Sequence, residues 1–190
     1  MRSLDVWSPS SSRSPRPQPL AVPRGKRMDA AEFRAAKQFI FNDIEREIEL
    51  ARASEAAPQA LQAAGVRPGG GNFLAALGLL CYTEFGGRLK YNRPTASENF
   101  NLFFDDLGAG YKAFRKAGHN VYDILRCGMA HEYMIKRPGA IAMLGAAAPE
   151  GIRLMSDGRF EFIVERYYLD LKRAFDDLDH QLFGSGGSAR

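Results

Sequence analysis

The sequence predicts an all-α protein: an antiparallel bundle of about five helices, with a small β-hairpin inserted before the last one. Three observations carry that expectation. Apolar residues recur at three- and four-residue steps over five separate stretches between residues 29 and 183. The connections between them are mostly short and carry Gly and Pro. Near the end, two short β-patterned runs flank Asp157-Gly158, a pair suited to the positive φ of a tight hairpin turn.

Asp29 followed by Glu32 has the form of a capping box. Phe33, Ala36, Ile40, Ile44 and Ile48 then repeat along one helix face, with Glu45, Arg46, Glu49 and Arg52 on the wet side. Pro58, Gly65, Pro68 and Gly69–Gly71 mark the next stretch as a loop. From Asn72 the run FLAALGLLCYTEF is apolar nearly all round, as in a helix buried at the centre of its domain, and Gly86-Gly87 supply its stop. Thr95 and Glu98 repeat the capping pattern. Phe100, Phe103, Phe104, Leu107, Tyr111 and Phe114 then predict a third helix, ended by Gly118, with its phenylalanines in the core. A fourth helix is predicted from about Asn120 to Ile135 on Val121, Ile124, Leu125, Met129 and Tyr133, closed by Pro138-Gly139. Ile141, Met143 and Leu144 give a short strand, and Ile152–Ser156 with Phe160–Val164 give the hairpin. Tyr168, Leu171, Phe175, Leu178 and Leu182 define the last helix.

Hydrophobic residues make up 45% and charged residues 25% of the chain, ordinary values for a globular protein. No run approaches the roughly 18 consecutive apolar residues of a membrane span, so no membrane is expected. Two cysteines exclude a disulfide scaffold and suit a reducing, cytoplasmic setting. The net charge of +4 invites a nucleic-acid reading, but its position matters more than its sum. Of 26 basic and 22 acidic residues, positions 1–27 hold six and one, leaving 20 and 21 for the rest. All of the excess is therefore in a Ser/Pro-rich segment that also holds five of the ten prolines and is expected to be disordered. Three explanations of that tail stay open: a basic arm, a transit-like sequence, or upstream sequence before a true start at Met28. The expected division is a tail over 1–27, a helical domain over 28–183 and a flexible end over 184–190.

Few residues are available for chemistry. His119, Asp123, Cys127 and His131 recur every four residues, but such a series drifts by about 40° per step, so one ion could reach only adjacent members. Neither a CxxC nor an HExxH motif supports a metal, and none is expected. Cys81 and Cys127 lack a recognisable base partner, and there is no P-loop, GxGxxG or GxSxG. Glu84, the one acid in the apolar second helix, reads as a helix-end carboxylate reaching solvent or an arginine.

What remains is the run Arg126-Cys127-Gly128-Met129-Ala130-His131 on the fourth helix. An arginine, four intervening residues and a histidine, late in a small helical protein, resemble the HEPN family of helical bundles. Many of its members are metal-independent ribonucleases, with a site commonly formed where two protomers meet. The family's spacing runs from four to six intervening residues, so Arg173 and His180, with six between them, are a second match, but Asp176, Asp177 and Asp179 crowd them and would repel a phosphodiester. One departure is plain: the family usually has a polar residue, often Asn or Asp, directly after the arginine, and here that position is Cys127. On an ideal α-helix Arg126 and His131 would also stand about 140° apart.

The resemblance implies RNA cleavage by 2′-hydroxyl transesterification, with Arg126 and His131 as catalytic residues and no cofactor. The histidine would move the proton and the guanidinium would hold the phosphate. Arg88, Lys90, Arg93 and Lys136 are candidates for a phosphate-binding rim, although basic residues at helix ends also favour the macrodipole. The implied partners are RNA, a second copy of the chain and a nucleotidyltransferase-type antitoxin, in a toxin or defence role. Two alternatives stay open: a catalytically silent HEPN-like dimerisation or binding module, and a metal-dependent helical protein.

Overall fold

The computed structural model describes residues 28–184. The predicted tail over 1–27, and all of the predicted flexible end except Gly184, lie outside the described residues. Within them the protein is mostly helical. Helices α1 (Ala30–Ala56), α2 (Pro58–Ala63), α3 (Asn72–Tyr91), α4 (Ala96–Asp106) and α5 (Ala109–Lys116) precede a π-helix (Tyr122–Glu132). Strands β1 (Gly139–Ala142), β2 (Ile152–Leu154) and β3 (Phe160–Ile163) follow, and α6 (Val164–Phe183) closes the fold.

Helix α1 starts as its sequence dictates. The Glu32 backbone N–H donates to Asp29 Oδ1 at 2.9 Å, and the Asp29 N–H donates back to Glu32 Oε2 at 3.0 Å. Phe33, Ile40, Ile44 and Ile48 are buried, joined by Phe41. Phe175 of α6 gathers the core. Its ring meets Phe33 and Phe41 of α1, Phe85 of α3 and Phe103 of α4, with centroids 5.4–6.3 Å apart.

Several elements depart from the sequence reading. The stretch after Pro58, expected as loop, includes the six-residue helix α2, with Pro58 supplying the fixed φ of a first helical turn. Gly86-Gly87 do not stop α3, which runs on to Tyr91. Both are buried because α4 crosses there: a Cβ on Gly87 would stand 2.0 Å from the Asn99 carbonyl oxygen, and one on Gly86 would stand 2.5 Å from the Phe103 ring. The predicted third helix is two, α4 and α5, broken at Gly108, whose φ of 149° side-chain-bearing residues rarely adopt. Thr95 caps α4 by accepting the Glu98 N–H at 3.2 Å, but its hydroxyl, not its backbone N–H, donates to the Glu98 carboxylate, so the reciprocal half of the box is missing. Tyr133 lies just past the π-helix and is 79% exposed rather than part of an apolar face.

The hairpin is present, with Gly158 at φ 80° in its turn. It belongs to a three-stranded sheet in the order β1-β3-β2, in which β1 runs parallel to β3. Glu165, in the first turn of α6, locks this sheet to the helices. Its carboxylate accepts the backbone N–H groups of Gly145 and Ala146 at 2.7 and 2.9 Å and pairs with Arg52 of α1. Burial alone would raise this carboxyl; the two N–H groups and the guanidinium outweigh it and hold it below the usual carboxylate range. A depressed folded pKa means stability that is complete above the unfolded value, about 4.3, and is lost as pH falls through the lower folded value. Acid titration of the wild type should therefore show a loss of stability below about pH 4 that is smaller in Glu165→Gln. Equal acid sensitivity in both proteins would contradict the assignment.

Candidate functional site

The π-helix lays Ile124, Leu125, Gly128 and Met129 into the core, and Val121 just before it is buried as well. Tyr122, Arg126, Cys127 and Ala130 are left half-buried at its edge, and Asp123, His131 and Glu132 are exposed. Its winding alters the geometry expected from the sequence. In a helix bonded i→i+5, residue i+5 comes back over residue i, as i+4 does in an α-helix. Arg126 and His131 are five apart, so they share a side of this helix rather than standing well around it.

The helix end is built around Gly128. Tyr133 turns left-handed at φ 55°, and its N–H bonds the Gly128 carbonyl. Met134 N–H donates to the same oxygen at 3.3 Å, and Lys136 N–H reaches back to the Ile124 carbonyl at 3.1 Å. The chain thus doubles back across the helix. A Cβ on Gly128 would meet the Met134 carbonyl oxygen at 2.6 Å, so no other residue leaves room for this return.

Arg126 points toward α3. Its Nε lies 2.9 Å from Glu84 Oε2, with the two side chains 19% and 24% exposed, and its guanidinium carbon sits 5.8 Å from the centre of the Tyr122 ring. The contact is an ion pair by distance, yet both atoms are buried and neither has an aligned hydrogen-bond partner. Burial is the main cause that raises the Tyr122 hydroxyl, reinforced by the Glu84 charge. Burial likewise pushes up the Cys81 thiol, against the opposing pull of Arg126. That disfavours a reactive thiolate there. Glu84 was legible in the sequence as the lone acid of an apolar helix; its partner and the place of Tyr122 were not.

His131 is exposed and makes no hydrogen bond, ion pair or ring contact among the described residues. The rim candidates divide. Lys136 Nζ is held by Asp123 at 2.8 Å and Glu132 at 3.3 Å, and Lys90 by Asp106 at 3.0 Å. Arg88 is exposed, one turn beyond Glu84 on α3, with no acidic partner among the described residues. Arg93 lines a shallow groove of about 370 Å³ with Glu98, Asn101, Leu102 and Arg115, the last already engaged by Asp105.

The four-residue series does not converge. The His119 ring packs against Phe114 and Phe160, with centroids 4.5 and 5.7 Å away, and Asp123 is taken by Lys136. Among the described residues no group of three or more His, Cys, Asp or Glu side chains is placed to hold a metal ion. In the second Arg–His pair, Arg173 is committed to Asp170 at 3.2 Å and to the Leu107 carbonyl at 2.5 Å. Among the described residues no helix is long and apolar enough to cross a membrane. No family model matches the chain, and neither a curated protein nor a solved structure shows significant similarity to it.

Proposed function

We propose that the chain is a HEPN-like helical bundle that cleaves RNA without a metal, using Arg126 and His131. The observation that carries this reading is the i→i+5 winding of the π-helix, which puts the two residues on one side. His131, exposed and unencumbered, is available to a substrate. In the reaction its imidazole accepts the proton of a 2′-hydroxyl as that oxygen attacks phosphorus, and Arg126 neutralises charge building on the phosphoryl oxygens. The P–O2′ bond forms, the P–O5′ bond breaks, and the 5′-oxygen leaves with a proton. The products are a 2′,3′-cyclic phosphate and a 5′-hydroxyl. A homodimer would bring two such histidines, one as base and one as acid. A toxin or defence role restrained by a nucleotidyltransferase-type partner belongs to the same reading.

A second reading has its own observation. The Glu84–Arg126 ion pair is what a catalytically silent module for dimerisation or binding would show. Incubating the purified chain with single-stranded RNA in excess chelator decides between them. Cyclic-phosphate ends are expected from the ribonuclease, and no cleavage of any RNA from the silent module. Dependence on added divalent metal, or 5′-phosphate ends, would overturn the proposed mechanism.

A further inference from the structure

We infer that Glu84 is a built-in occupant of a phosphodiester site on Arg126: an anionic latch that a backbone phosphate displaces. The inference rests on the reading of Arg126 as a phosphate-binding group. Its evidence is a contrast within the molecule. Arg34 grips Asp179 through Nε and Nη2 at 3.1–3.2 Å, Arg166 grips Asp170 at 3.0 and 2.6 Å, and Arg115 holds Asp105 by the same fork. These are the aligned two-point contacts a guanidinium prefers. Arg126 and Glu84 are as close, at 2.9 Å, but make no aligned hydrogen bond.

An ion pair lacking that alignment holds its arginine by charge alone, and a ligand able to offer forked acceptors gains what the carboxylate does not supply. Arg126 makes no hydrogen bond through its outer nitrogens among the described residues, and its side chain keeps 19% of its surface exposed. The Tyr122 ring beneath it limits how far it can swing. Arg88, exposed on the same face of α3 as Glu84, offers a second cation for a neighbouring phosphate. A phosphate arriving at Arg126 meets the Glu84 charge as a repulsion, so neutralising that residue should tighten binding.

The test is a double-mutant cycle on the full chain, with fluorescence anisotropy of a labelled single-stranded 2′-O-methyl oligoribonucleotide, which lacks the nucleophile and cannot be cleaved. Glu84→Gln is expected to bind about fivefold or more tightly than wild type. In the Arg126→Ala background the same change should do nothing, which separates the latch from any general attraction to the basic N-terminal segment. Circular dichroism checks each fold, and Glu84→Ala provides the same comparison should the amide not be accommodated. Unchanged or weaker binding by a folded Glu84 variant, or tightening that persists without Arg126, would overturn the inference. Cleavage is not the readout. A chain that never cuts RNA but shows the coupling keeps the latch and loses the ribonuclease; one that cuts RNA without the coupling does the reverse.

Discussion

Alanine at His131 is expected to slow RNA cleavage by about 10²–10⁴-fold, the usual worth of a positioned general acid or base. Its melting should stay unchanged, because the side chain is exposed and makes no hydrogen bond, ion pair or ring contact among the described residues. Arg126→Ala is expected to cost about 10²–10³-fold, as loss of a transition-state charge stabiliser does. That variant should also lose some stability, because Glu84 Oε2 remains buried without its cation. Single-turnover cleavage in chelator, with thermal melts of each variant, measures both effects. Wild-type rates in either folded variant would remove these residues from the chemistry.

Asp170→Ala should be the most damaging change away from that site. Asp170 is 1% exposed, and its carboxylate receives the Tyr111 hydroxyl at 2.7 Å, Arg166 through two hydrogen bonds, and Arg173. Tyr111 in turn accepts the Gly151 N–H at 2.7 Å, so one acid ties α5, α6 and the segment before β2 together. Burial, with the Asp170 charge behind it, pushes the Tyr111 hydroxyl far up, and it acts here as a donor. Deleting the carboxylate strands Arg166 and the buried phenol, at a cost of about 3–5 kcal/mol. Arg173→Ala should cost only about 1 kcal/mol, since that side chain is 54% exposed. Urea denaturation of both variants makes the comparison. A loss below about 1 kcal/mol for Asp170→Ala would show that the network is not what holds these elements.

Local patterns were legible because their physics is local. The capping box at Asp29 and the apolar spacing of α1 need only residues three or four apart. The turn at Gly158 needs only a positive φ. Gly86-Gly87 read in the sequence as a helix stop; α3 instead runs through them, and it is the crossing of α4 that requires glycine there. The parallel pairing of β1 with β3 was equally invisible, since it joins residues about 20 positions apart.

The site follows the same division. From its residues alone the sequence determined a mostly helical protein, a charge excess confined to residues 1–27, and a short run pairing Arg126 with His131. The tertiary structure decided how those two relate. Periodicity assumes 3.6 residues per turn, and apolar spacing does not report a change to i→i+5 bonding. That winding coincides with packing against α3 and with the chain's return over Gly128, both contacts between distant or folded-back segments. Glu84 meets Arg126 for the same reason: they lie 42 positions apart, and only the packing of two helices brings acid and base to 2.9 Å.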